Sequence, residues 1–321
     1  MRIREALAQF LEELEKDELK TEKRNYNSPV SAFVISIILI STLMHAGWNL
    51  LARYARSEGE FYRRMLIITM IVGFIPAVIS ELRTGSMTPL AWACVVGSAT
   101  FAAIYLFGLA RAFEETDFTV VYPVARALPV IFIAVIDVLR GRQLSPFGWI
   151  GIFLVVIGTF LVPQTRFRDI RLENFWNFTL VWMVVAALGT VGYTFLDKVA
   201  AEVVQSGPGT AARYGYFYFG ISFFPYTILM KFGGGTGRQR NNTGWLLPLF
   251  GAFLGFGAYW LILWAYQLSP YASYIVAFRQ FSIVIGAVLA FLIYKEQGVA
   301  VRISGALLIT SGLILIAVLG V

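Results

Sequence analysis

Two arginines, Arg126 and Arg279, stand 153 residues apart, each about nine residues into a long apolar stretch. An ionisable side chain inside such a stretch costs roughly 2.5–3.5 kcal/mol on membrane-insertion scales, so its presence asks for a reason. One reason is chemical: a guanidinium facing a cavity can hold a carboxylate or phosphate through two parallel hydrogen bonds. The other is structural, since the same group can tie its helix to backbone carbonyls or reach for the interface. His45 and Asn49 are four residues apart and project from one side of a helix. They either contact a solute or bond between helices. Tyr105, Tyr122, Tyr259, Trp48 and Trp260 add aromatic faces with hydrogen-bonding tips, suited to enclosing a solute. Aromatic residues also gather at bilayer interfaces, which is the competing explanation for part of this set.

Other chemistries find little to work with. One histidine and one cysteine, Cys94, leave too few soft ligands for a zinc site and exclude a disulfide framework. No serine nucleophile motif accompanies His45, and no phosphate-binding glycine loop of the Gly-x-x-x-x-Gly-Lys type is present. No enzyme activity, metal or cofactor is expected. A net charge of +7 would suggest nucleic acid in a soluble chain. Here the basic residues flank apolar runs, where lipid headgroups and insertion explain them better, and no nucleic-acid partner is expected.

The elements that must position these residues are membrane helices. The chain is 58% hydrophobic and only 14% charged, against the ~25% charged residues of a soluble domain. A span needs about 20 apolar residues. Ten candidates fall at about residues 30–53, 62–80, 89–112, 118–139, 146–163, 176–196, 211–230, 244–267, 271–294 and 300–320. The runs are too long, and too little alternating, for a β-barrel. Residues 1–29 form a charged tail with seven acidic residues. It fits an amphipathic helix on the membrane surface or a solvated segment.

The chain also repeats. Tyr122-Pro-Val-Ala-Arg126 answers to Tyr274-Ile-Val-Ala-Phe-Arg279, and Gly47-Trp-Asn-Leu-Leu-Ala-Arg53 to Gly192-Tyr-Thr-Phe-Leu-Asp-Lys198. Gly151 and Gly158 lie 154 residues before Gly305 and Gly312, and Tyr105 lies 154 before Tyr259. The glycines lie on or near one face of their helices and allow close packing. The order of the matches predicts five helices used twice, over residues 30–165 and 176–321. An odd unit ends on the side opposite its start, so the second copy is inverted, as in many secondary transporters. The expected fold is therefore an all-α integral membrane protein with ten transmembrane helices in two inverted five-helix repeats.

Over residues 30–320 the chain resembles the EamA-like ten-helix members of the drug/metabolite transporter superfamily. The likeness rests on His45-Ala-Gly-Trp-Asn-Leu-Leu-Ala-Arg53, Tyr122-Pro-Val-Ala-Arg-Ala-Leu-Pro129, and the turn-plus-glycine helix that closes each half. The resemblance implies a carrier of small organic solutes, with a central cavity lined by helices one, three, four, six, eight and nine. It departs from the small multidrug exporters of that superfamily, which carry a carboxylate in the first helix; Val30 to Leu51 has none. Asp137 and Asp197 fall near helix ends, where a membrane interface is expected.

The expected function is a secondary transporter or facilitator, with export as the expected direction, of an amino acid or other organic anion. The alternatives are a lipid-headgroup flippase and a receptor or scaffold without a transport cycle. Expected partners are a small-molecule solute and membrane lipid, in the plasma membrane, as a monomer or a homodimer. Lysines and arginines divide almost evenly between the two sides, leaving orientation open.

Overall fold

In a computed structural model of the chain, the described residues are 30–55, 58–115, 118–162, 164, 166, 178–232, 244–285, 288 and 299–320. The tail, 1–29, lies outside them. Among the described residues there is no strand, and ten helices follow one another. They are α1 (Ala32–Ala55), α2 (Glu58–Thr84), α3 (Pro89–Glu115), α4 (Phe118–Leu139) and α5 (Pro146–Leu161). The second set is α6 (Phe178–Val203), α7 (Pro208–Phe232), α8 (Leu246–Leu268), α9 (Ala272–Arg279) and α10 (Val299–Leu319). Six of them (α1, α2, α3, α6, α8 and α10) are long and apolar enough to cross a membrane, and α5 and α9 are shorter apolar helices.

The bundle is held by pairs of antiparallel helices. On α5 and α10, a Cβ at Gly158 would stand 2.5 Å from the carbonyl of Gly305, and one at Gly151 would stand 2.7 Å from that of Gly312. The two backbones touch because neither carries side chains there, which replaces the missing hydrophobic drive with close packing. Between α1 and α8, Ser41 Oγ donates to Ala258 O at 2.7 Å, and Gly47 faces Leu254. Between α3 and α6, Gly189 lies against the backbone of Phe101 and Tyr105, and Gly192 against the Phe101 ring. α2 packs on α7 and α4 on α9. Exchanging each helix with the one five places on leaves this set of partnerships unchanged.

One end of the bundle gathers polar ties from several helices. Lys198 Nζ donates to Tyr266 O at 2.9 Å and to Ser269 O at 2.7 Å, where α8 ends. It also pairs with Glu202 at 3.3 Å, and Glu202 receives Arg140 and Arg142 from the α4–α5 turn. Asp137 Oδ2 accepts from Ser273 N at 2.8 Å in the first turn of α9, the end of a helix that favours an anion. At the opposite end Arg63 and Arg64 share Glu60, and Arg64 donates to Gly244 O at 2.6 Å.

Two expectations need correction. The sixth span does not stop at 196: α6 continues to Val203 with Asp197 and Lys198 both buried. Asp137 and Asp197 were expected at an interface, but both are buried and find partners inside the protein. The ninth span follows one helical path over Ala272–Ile285 with a one-residue irregularity, and most of its second half lies outside the described residues. α9 ends at Arg279, Gln280 forms a turn, and the helix resumes at 281–285. The irregularity is satisfied locally, with Gln280 Nε2 donating to Val276 O at 3.2 Å and Ser282 Oγ to Arg279 O at 2.9 Å.

Candidate functional site

Ser41, His45 and Trp48 are spaced by four and three residues on α1, so one face of that helix presents all three to the centre. From α8, Gly255, Ala258, Tyr259 and Ile262 do the same. Tyr105 on α3, Tyr193 on α6, Tyr218 on α7 and Arg279 on α9 complete the wall, with Met65 and Leu66 entering from α2. The cavity they enclose measures about 50 Å³. Solute pockets are usually roughly 300–1,000 Å³, so an organic solute fits only if the helices move apart.

Tyrosines form the core of the wall. Tyr193 meets Tyr105 edge-on at 5.8 Å between centroids and Tyr259 edge-on at 5.9 Å. Tyr218 stacks on Tyr259. Offset and edge-to-face contacts of this kind are the preferred geometries of aromatic pairs.

Charge is distributed unevenly. Arg279 is 7% exposed, lines the cavity and holds its guanidinium carbon 6.0 Å from the centre of the Tyr259 ring. Among the described residues it forms no ion pair, and its guanidinium makes no hydrogen bond. His45 Nδ1 accepts the indole N–H of Trp48 at 3.1 Å. A neutral imidazole that accepts at Nδ1 carries its proton on Nε2. That Nε2 is buried without a protein partner. The wall thus offers two donors whose hydrogen-bonding capacity is not used by the protein.

Just behind the wall lies a carboxylate. Asp197 is 1% exposed and sits among three hydroxyls. Ser98 Oγ and Tyr214 OH, the latter at 2.9 Å, donate to Oδ1, while Tyr259 OH donates to Oδ2. One side chain of α6 is thereby tied to α3, α7 and α8.

The residues singled out in the sequence separate into two groups. Arg279, His45, Tyr105, Tyr259 and Trp48 come together around the cavity. Arg126 does not line it: its guanidinium donates to Ser282 Oγ at 2.7 Å, and its carbonyl accepts from Gln280 Nε2 at 3.2 Å, so it braces the α9 turn from α4. Asn49 bonds back to His45 O at 2.8 Å within its own helix. Trp260 donates to Pro208 O at 2.7 Å and joins α8 to the start of α7. The Tyr122 side chain lies outside the described residues. The expected lining by helices one, three, four, six, eight and nine needs helices two and seven added, while among the described residues helix four contributes none to the wall.

Tyr193, Tyr218 and Asp197 were not anticipated. Tyr193 had a signal, because it occupies the place in Gly192-Tyr193 that Trp48 holds in Gly47-Trp48. Asp197 was set aside as an interfacial group. Its counterpart in the first half is Ala52, a contrast that marks it as more than part of a repeated pattern.

Ten helices among the described residues, six of them long and apolar enough to cross a membrane, packed around a small, largely apolar central cavity, fit a multi-pass integral membrane protein. Residues 32–163 match the model of the EamA-like transporter family, so the chain carries a domain of the drug/metabolite transporter superfamily over its first five helices. That is a family of membrane transporters, not of enzymes. A solved structure described only as a protein crystal structure aligns with 91% of this chain and 99% of its own length, at a TM-score of 0.64 and 15% identity. At that identity the likeness concerns the fold alone. No curated protein matches the chain.

Proposed function

We propose that the chain is a secondary transporter or facilitator for a small organic solute carrying an anionic group. The solute would bind in the central cavity between two inverted five-helix halves. The observation that carries this reading is the convergence of Arg279 and His45 Nε2 on one tyrosine-lined cavity, both with donor capacity to spare. Among the described residues no carboxylate contacts the Arg279 guanidinium directly, so its fork is open to a ligand, and an arginine fork suits a carboxylate or phosphate. The tyrosine rings would cover the apolar remainder of the solute.

The reading of inverted halves is supported by direction as well as by pairing. α1 runs antiparallel to α8, while the end of α6 meets the end of α8 through Lys198. The first helices of the two halves therefore start at opposite ends. α2 and α7 each carry an internal proline, Pro76 and Pro225, as related helices would. Alternating access would then be a rocking of the halves about a fixed site.

The test is counterflow in liposomes holding the purified chain, with labelled L-glutamate, L-aspartate, succinate, lactate and glycerol 3-phosphate as probes. Arg279→Ala should abolish the exchange of the transported anion without loss of folded protein. Arg126→Ala should reduce it through the brace on α9 and leave the affinity within a few fold. Exchange that survives Arg279→Ala with unchanged affinity would sink the anion site, and selective movement of neutral or cationic solutes would do the same.

A further inference from the structure

Asp197 and Arg279 are both buried, and neither has an ion-pair partner among the described residues. They are joined by one side chain. The Tyr259 hydroxyl donates to Asp197, and the Arg279 guanidinium lies toward the Tyr259 ring. Together they make a neutral cluster of one negative and one positive charge. Other charged and titratable groups surround it: Arg126, on α4, donates to Ser282 Oγ, which itself donates to the Arg279 carbonyl, and His45 faces the same cavity from α1. Lys198, the neighbour of Asp197 on α6, turns to the end of α8 and to Glu202. Asp137, on α4, receives Ser273 N at the start of α9. Cys94 stands one turn before Ser98 on α3. Tyr214 and Tyr218 face the cluster from α7 and Tyr266 from α8.

An anion arriving at Arg279 would leave this cluster with one net negative charge in a medium where uncompensated charge is costly. We propose that Asp197 takes up one proton when an anionic solute neutralises Arg279, so that solute and proton occupy the protein together. One O–H bond forms on a carboxylate oxygen, the proton comes from the aqueous phase facing the open cavity, and no electron moves. Tyr259 connects the two events, since its ring lines the cavity and its hydroxyl touches the carboxylate. Once protonated, Asp197 can no longer accept from all three hydroxyls in the same way, because one of its oxygens has become a donor. The link among α3, α6, α7 and α8 therefore loosens when the site is loaded. This inference rests on the anion reading of Arg279, and it names the proton as the coupling ion.

The charge linkage can be read without any solute, because removing the Arg279 charge imitates its neutralisation. Infrared difference spectra of the purified chain in lipid nanodiscs should contain no carbonyl band of protonated Asp197 at neutral pH in the parent or in Arg279→Lys. In Arg279→Gln the band should appear, and in Arg279→Gln with Asp197→Asn it should be lost. A band of equal size in the parent, no band in Arg279→Gln, or a band that survives Asp197→Asn would each overturn the proposal. If Arg279→Gln does not fold, proton uptake by the parent in weakly buffered solution decides instead. Addition of the anion that counterflow selects from the probes should remove about one proton per site in the parent and none in Asp197→Asn; no uptake by the parent overturns the proposal. If no probe moves, binding of succinate at saturating concentration is read in the same way. Counterflow indifferent to Arg279 would remove the anion reading, whereas an unmoved infrared band would remove only the proton linkage.

Discussion

The ring of Tyr259 stacks on that of Tyr218, with centroids 4.5 Å apart and planes inclined by 25°. The same tyrosine donates its hydroxyl to Asp197 and forms part of the cavity wall, so its two ends perform separable tasks. Tyr259→Phe keeps the stack and removes one of three donors from the carboxylate. Hydrogen bonds to charged groups contribute about 1.5–3 kcal/mol, and bonds between membrane helices less, so the expected loss of stability is about 1 kcal/mol. Tyr259→Ala also removes the stack, worth about 0.5–1.5 kcal/mol beyond its area, and opens the wall. Solute affinity should fall by about tenfold in the alanine variant and much less in the phenylalanine variant. Thermal unfolding in detergent and counterflow affinity check the two halves of this prediction. Equal affinity losses in both would assign the role to the hydroxyl alone.

Lys198 offers a second test, of the closed end. It carries the α6 end onto two carbonyls of α8 and one carboxylate, and its side chain is only 4% exposed. Removing one partner of a buried charged set typically costs about 3–5 kcal/mol. Lys198→Met keeps the length and apolar stem but leaves Glu202 with its two arginines. The expectation is weaker closure at that end. A cysteine introduced at Ser269 should react faster with a water-soluble thiol reagent in Lys198→Met than in the parent background. An unchanged labelling rate would mean that Arg140 and Arg142 hold the end shut without the lysine.

The helix pair α5 and α10 tests packing. A methyl group added at Gly158 would meet Gly305 O at 2.5 Å, and that oxygen belongs to backbone that cannot swing aside. Overpacking in such a contact costs typically about 1–3 kcal/mol. Gly158→Ala should therefore lower the unfolding temperature, as should Gly151→Ala, placed 2.7 Å from Gly312 O. Gly141, which has nothing within 4 Å of an added Cβ, tests strain in place of packing, because its φ of 80° favours glycine. A loss confined to Gly141→Ala would show that the α5–α10 contact relaxes easily.

Much of the frame was legible before any coordinates. Runs of about 20 apolar residues locate membrane helices because the bilayer fixes their length. The glycines of the fifth and tenth spans marked faces for close packing, but that these two faces meet each other was not legible. The aromatic wall was half legible: Tyr105, Tyr259 and Trp48 were in view, while Tyr193 and Tyr218 were not. The charges were harder. Arg126 and Arg279 occupy matched positions in the sequence, yet of the two only Arg279 lines the cavity, while Arg126 donates to Ser282 Oγ. Whether an intramembrane carboxylate is interfacial or buried depends on hydroxyls from other helices, as Ser98, Tyr214 and Tyr259 do for Asp197. Periodicity along one helix contains no record of them.

His45 carries the last prediction. The Trp48 indole N–H points at His45 Nδ1 from 3.1 Å and the rings meet edge-on at 5.0 Å. That contact holds the imidazole in the tautomer whose proton is on Nε2, the atom without a protein partner. If Nε2–H is a donor for the solute, His45→Gln should retain part of the interaction, since its amide can present an N–H nearby. His45→Leu should lose it, with affinity falling by about tenfold and the maximal exchange rate changing less. Trp48→Phe keeps an aromatic ring but frees the tautomer, and an intermediate loss is expected. Measuring affinity and maximal rate of counterflow for all three separates this role from simple helix packing. A packing role predicts that stability falls together with rate in His45→Gln and His45→Leu, while affinity stays constant across the series.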